Sequence, residues 1–233
     1  MGGTIVARPI ATTWTMPPLT PLSGSLVDGP ASAPATLVLA HGAGAPMDSP
    51  FMASIASGLA EQGWRVVRFE FPYMAQRRVD GKQRAPDRLP RLLAAFREQV
   101  GRWQDQGPLV LGGKSMGGRI ASLLVDELAS HADVRGCLCL GFPFHPPGKP
   151  AQLRTDHLAT LNTPTLILQG ERDPFGRRAE VETYALSAAI DVQWIPSGDH
   201  SFKPTRSSGL TEAGNWQGAV TLAAQFMQTQ LAA

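Results

Sequence analysis

The sequence has 233 residues, with 21 Lys and Arg against 19 Asp and Glu, a formal net charge of +2, and 43% hydrophobic residues. Near-neutrality with only 17% charged residues leaves no basic face to hold nucleic acid phosphates and no acidic tail. The length suits one α/β domain with a substantial core, and 24 glycines with 20 prolines signal many tight turns.

Residues 1–34 read as a loop and edge-strand segment of the same domain whose main body is residues 35–233. Residues 35–40 (ATLVLA) form a short apolar run closed by His41-Gly42-Ala43-Gly44, the pattern of a buried strand ending in a glycine turn. Residues 49–62 have helical spacing through Phe51, Ile55 and Leu59, and Gly63 ends them. Residues 64–71 form the next strand, and residues 72–90 are polar, basic and proline-marked. Helical periodicity returns over 91–106, followed by a strand at 108–112 and a helix at 116–130. Then come a strand at 134–142, a Pro-rich turn at 143–150, a strand at 165–169, a helix at 177–189, a strand at 191–195 and a closing helix at 214–231. Apolar rather than alternating strands, interleaved with helices, predict a mostly parallel sheet covered on both faces. In such sheets function sits at the carboxyl ends of the strands.

The two cysteines, Cys137 and Cys139, are two apart in one apolar run and so share a strand face, which excludes a disulfide scaffold. Residues 1–18 lack a positive patch followed by an apolar stretch, and no run of about 18 apolar residues occurs anywhere. The protein is read as soluble and cytoplasmic, with neither metal nor cofactor.

Gly113-Lys114-Ser115-Met116-Gly117 matches GxSxG between a predicted strand and a predicted helix. A nucleophile on such a turn has a strained backbone, so the positions two before and two after it need to be nearly free of side chain; here both are glycine. A phosphate loop competes, because Gly113-Lys114-Ser115 ends like GxxxxGK[ST]. It fails upstream, where Pro108 stands at the first glycine and Leu109 to Leu111 belong to a strand.

A serine hydroxyl needs a base, and the base needs an anion to fix its tautomer. Asp173 follows the strand at 165–169 and His200 follows the strand at 191–195, in the order nucleophile, acid, base. Glu171 is the alternative acid, since the same loop could aim either carboxylate. Donors to the oxyanion are assigned to the amide of Met116 and that of Ala43, with Gly44 as substitute. His41 is expected to brace the glycine turn, His131 and His157 to be solvated, Tyr73 to line a substrate pocket, and His145 either to line that pocket or to be purely structural.

At these residues the chain resembles the α/β-hydrolase superfamily. More closely, it resembles the small dienelactone-hydrolase-like branch that includes the testis-expressed and nonspecific-lethal-complex-subunit type proteins. The closer likeness is carried by His41 to Gly44 with Met47 and Pro50, by Gly112 to Arg119, by Phe142-Pro143-Phe144-His145-Pro146-Pro147 with Leu153-Arg154, and by Trp194 with Asp199-His200-Ser201. The resemblance implies an eight-stranded type of sheet with Ser115, Asp173 and His200 as triad. It names no substrate, and because dienelactone hydrolases use a cysteine nucleophile where this chain has Ser115, their reaction does not carry over.

Residues 143–164 are too few for a helical cap domain, so the site is expected to be open. Arg77, Arg78, Lys82, Arg84, Arg88 and Arg91 read as a solvated loop, or else as a rim attracting acidic acyl groups or an acidic partner. Two functions follow: an esterase or thioesterase acting on small soluble substrates, preferring short acyl chains, or an interaction module that keeps the scaffold with little turnover.

Overall fold

The computed structural model describes residues 24–232; the predicted loop segment before residue 24 lies outside them. Seven strands form one sheet: β1 (Leu26–Asp28), β2 (Thr36–Ala40), β3 (Arg65–Phe69), β4 (Leu109–Lys114), β5 (Val134–Leu140), β6 (Thr165–Gly170) and β7 (Ile190–Ile195). Their spatial order is β1-β3-β2-β4-β5-β6-β7. Only β1 runs antiparallel, pairing Val27 with Val67 on β3, so six strands are parallel. Among the described residues the sheet therefore has seven strands, where the resemblance implied eight.

The helices are α1 (Pro50–Glu61), α2 (Pro72–Asp80), α3 (Leu89–Trp103), α4 (Met116–Ala129), the single turn α5 (Arg178–Val181) and α6 (Glu212–Ala232). Alternation along β2 divides the core. Val38 and Ala40 meet Leu92 and Phe96 of α3 and Ile120 and Leu124 of α4, while Leu37 and Leu39 meet Ile55 and Leu59 of α1 and Ala223 and Met227 of α6. With both faces covered, the central strands are buried along their whole length.

Two predicted stretches fold differently. The polar segment 72–90 contains α2, because Pro72 fits a first helical turn and Gly81, at φ 70°, closes it with its N–H on the Arg77 carbonyl at 2.8 Å. Only Tyr73, Met74 and Ala75 of this helix are buried, too short a stripe to show in the sequence. Three of the six basic residues singled out around it are paired: Arg78 with buried Glu70 and with Asp48, each at 2.7 Å, Arg84 with Asp80, and Arg91 with Asp87 at 3.0 Å. The predicted helix over 177–189 stops after one turn. Beyond it the backbone is satisfied from the preceding segment, with the Ser187 N–H on the Leu158 carbonyl at 3.0 Å, instead of by a helical ladder.

Residues 141–164 carry one short helical turn, Asp156–Thr160, and no cap covers the sheet's carboxyl edge among the described residues. No helix among them is long and apolar enough to cross a membrane.

Candidate active site

β4 delivers Ser115 into a sharp turn with φ 52°, a conformation that costs free energy for a residue with a side chain. The turn closes only because its flanks are glycine. A Cβ on Gly113 would stand 2.3 Å from the Gly117 carbonyl carbon, and one on Gly117 would stand 2.5 Å from the Ala40 carbonyl oxygen. The Ser115 N–H is held by the Leu140 carbonyl at 2.9 Å, which ties the turn to β5.

His200 Nε2 lies 2.9 Å from Ser115 Oγ, and His200 Nδ1 lies 2.7 Å from Asp173 Oδ2. The three residues that follow β4, β6 and β7 thus meet in one hydrogen-bonded chain. Asp173 is fully buried, and its second oxygen accepts the Phe175 N–H at 2.9 Å. The Phe175 ring lies over the imidazole with centroids 4.2 Å apart. Burial pushes the His200 pKa below the ordinary histidine value; the bond to Asp173 opposes that shift and the charge of Lys114 adds to it. The imidazole is therefore neutral near pH 7, with Nδ1–H on the carboxylate and Nε2 free to accept the serine proton.

Glu171 is not brought to His200. Its carboxylate accepts the Ser197 N–H at 2.7 Å and lies 3.9 Å from Arg178, on the outer side of the loop.

The glycine turn after β2 packs against the elbow, a Cβ on Gly42 lying 3.7 Å from Ser115 Cβ. Buried His41 accepts the Phe71 N–H on Nε2 at 3.1 Å and donates Nδ1–H to the Gly42 carbonyl at 2.6 Å. Burial pushes its pKa down, in keeping with this neutral tautomer. In a trans peptide N–H and C=O point oppositely, so His41 sets the direction of the Ala43 N–H. The Tyr73 hydroxyl donates to the Ala43 carbonyl at 2.9 Å and sets the Gly44 N–H in the same way. Met116 opens α4, where its N–H has no partner within the helix.

Neither His145 nor Tyr73 lines the cavity beside Ser115, which corrects the pocket-lining reading of both and leaves His145 its structural alternative. Tyr73 is buried behind the glycine turn that it braces. His145 is buried with Nδ1 on the Pro146 carbonyl at 2.8 Å and Nε2 3.5 Å from Glu180, because residues 144–146 fold back onto residue 175. His157 is not solvated either. It bonds Ser122 at 2.9 Å, and burial, helped by the charge of Arg119, pushes its pKa down to about 4. His131 is exposed, as expected.

Two residues that the sequence reading passed over belong to the assembly. Gln169, fully buried, donates to Asp173 Oδ2 at 3.0 Å and to the Phe142 and Gly176 carbonyls, and accepts the Phe142 N–H at 2.7 Å. A lone amide in the run Thr165-Leu166-Ile167-Leu168-Gln169 was the available signal. Lys114, inside the elbow, donates Nζ–H to the His200 carbonyl at 2.6 Å beneath the Phe51 ring, and burial pushes its pKa down to about 8. Among the described residues no three His, Cys, Asp or Glu side chains stand together as metal ligands.

A serine on a glycine-flanked elbow after β4, with a carboxylate after β6 and an imidazole after β7 at the carboxyl edge of a mostly parallel sheet, is the arrangement of the α/β-hydrolase class. Residues 33–228 match the alpha/beta hydrolase domain family, and the chain belongs to that family. Among solved structures it is similar to a dienelactone hydrolase from Anabaena variabilis, at 20% identity and TM-score 0.64 over 87% of this chain and 89% of that one. It is similar to an α/β serine hydrolase without lid from Xanthomonas campestris, at 22% identity and TM-score 0.58 over 89% and 98%. It is also similar to the esterase domain of a Rhodothermus marinus protein, at 16% identity and TM-score 0.63 over 88% and 92%. These likenesses establish the shared fold.

Proposed function

We propose that the protein is a serine esterase or thioesterase acting on small acyl substrates through an acyl-enzyme. The observation that carries this reading is the unbroken chain Ser115 Oγ, His200 Nε2, His200 Nδ1, Asp173 Oδ2, at 2.9 and 2.7 Å, beside a cavity of about 360 Å³. Ser115 Oγ attacks the acyl carbon while its proton passes to His200 Nε2, and Asp173 stabilises the imidazolium. The oxyanion takes the Met116 N–H and the Ala43 N–H, with the Gly44 N–H as the other candidate. Collapse breaks the bond to the leaving group, which departs with the proton from His200. Water then repeats the cycle on the acyl-enzyme and restores Ser115. No metal or cofactor enters these steps.

Within the family, the segments around His41, Ser115, His145 and His200 support placement in the dienelactone-hydrolase-like branch that includes the testis-expressed and nonspecific-lethal-complex-subunit type proteins. The buried free thiols of Cys137 and Cys139 suit a reducing, cytoplasmic setting. The test is hydrolysis of p-nitrophenyl esters of graded chain length by the protein and its Ser115→Ala variant. The expected result is a preference for short chains that vanishes with Ser115. Equal rates for the two proteins refute the assignment, and inactivity of both favours an interaction module that retains the scaffold.

A further inference from the structure

The cavity beside Ser115 runs along the first turns of α4, past Met116 and Arg119, to the loop that carries Arg154. Several arginines elsewhere in the fold are held, Arg68 by Asp28, Arg78 by Glu70 and Asp48, Arg97 by Glu127 and Arg178 by Glu182, and others such as Arg88 and Arg206 stand exposed on the surface. Among the described residues neither the Arg119 nor the Arg154 guanidinium has a hydrogen-bond or ion-pair partner, and Arg119 Nε is a buried donor left unsatisfied. Buried polar groups in folded proteins are nearly always paired, and the half-buried Arg119 keeps one N–H, at Nε, away from both water and partner. The two cations also act on each other, since burial and then the charge of Arg154 disfavour the charged form of Arg119.

The cavity has one carboxylate in its wall, and it is already engaged. Asp87 accepts the Tyr73 N–H on Oδ2 at 2.9 Å and Arg91 on Oδ1 at 3.0 Å. What remains is an apolar-walled cavity with two uncommitted guanidinium groups beyond the nucleophile. The planar fork of arginine matches a carboxylate through paired N–H donors.

We propose that Arg119 and Arg154 form a carboxylate-binding subsite, so that the substrate is an ester or thioester whose acyl part ends in a free carboxylate. This rests on the esterase reading above and names its substrate class. The acyl part is assigned here because the leaving group must stand at His200 Nε2 to receive a proton, and His200 is not in the wall of this cavity. Arg119 follows Ser115 by one helical turn, its N–H on the Ser115 carbonyl at 3.0 Å, so the nucleophile and the arginine leave the same end of α4 and line one cavity. A monoester of a short dicarboxylic acid such as glutarate is the matching substrate class.

The experiment compares kcat/KM for monophenyl glutarate and phenyl pentanoate, which share acyl length and leaving group and differ in the terminal carboxylate. The expected acid-to-neutral ratio is at least about tenfold in the protein, and it drops by about tenfold or more in Arg119→Gln and in Arg154→Gln. Arg119→Lys should retain part of it. A ratio of one or below, or a ratio untouched in both glutamine variants, overturns the proposal. Calorimetric titration of the Ser115→Ala protein with monophenyl glutarate separates this failure from failure of the esterase reading. Binding that is lost on adding Arg154→Gln, with no turnover by the intact protein, upholds the subsite and removes the esterase. Turnover of phenyl pentanoate without binding of the acid ester does the reverse.

Discussion

The two sides of Ser115 are built differently. On the His200 side every polar group is committed: Ser115, His200, Asp173 and Gln169 form one chain of bonds that ends on the backbone of residues 142 and 176. On the Arg119 side the cavity keeps two guanidinium groups without partners among the described residues. The contrast separates what a hydrolase must hold rigid for any substrate from what it leaves open for one. A proton relay works only if its geometry exists before the substrate arrives, whereas a recognition group must be free to take its ligand.

The largest effect should come from breaking the committed side. Asp173→Asn preserves the shape of the side chain but disfavours the productive tautomer of His200, and turnover of the folded variant should fall by about 10⁴-fold, well beyond any loss of melting temperature from its buried amide. Next in size is a disturbance of the glycine turn. Tyr73→Phe frees the Ala43 carbonyl, and steady-state kinetics should show kcat lower by about tenfold with KM little changed, less than the 10²- to 10³-fold typical of deleting an oxyanion donor outright.

Lys114→Met sharpens the electrostatic part of the comparison. The Lys114 charge disfavours the imidazolium, so its removal lets His200 hold a proton to higher pH, and the acid limb of the kcat/KM profile should move upward. In the parent that limb lies below the ordinary histidine value, because activity is lost only as pH falls through the lowered pKa of His200.

A stability measurement probes the histidines that the fold keeps neutral. Below about pH 6.5 the unfolded chain takes up protons that buried His41 and half-buried His157 refuse, His157 until about pH 4. The unfolded state then binds more protons, so the urea midpoint should fall between pH 7 and pH 5, and His157→Gln should flatten that fall. The smallest effect is expected of Glu171→Gln, which touches Ser197 rather than His200 and should change turnover by less than about twofold. A crippled Glu171→Gln beside an active Asp173→Asn would redraw the triad.

The frame of the molecule was legible because its signals are local. The strands are continuous apolar runs, and the elbow needs small residues at fixed offsets. Ser115, Asp173 and His200 each follow a strand whose end could be read from the sequence. What escaped depends on tertiary placement. Tyr73 and His145 lie near the site in sequence pattern, yet their side chains turn behind the glycine turn and onto residue 146. The helix α2 rests on a proline start and a glycine stop rather than on periodicity. Lys114 finds its partner 86 residues away, and Gln169 joins Asp173, four residues on, to residue 142 of another strand's end, links that no window on the sequence contains.

The central claim is that Ser115 is a nucleophile activated by His200, and labelling with a fluorophosphonate probe tests it most directly. Stoichiometric modification mapped to Ser115 by peptide mass analysis is expected, with labelling abolished in Ser115→Ala and slowed strongly in His200→Gln. A folded protein that stays unlabelled, or a Ser115→Ala variant that labels as fast as its parent, contradicts it.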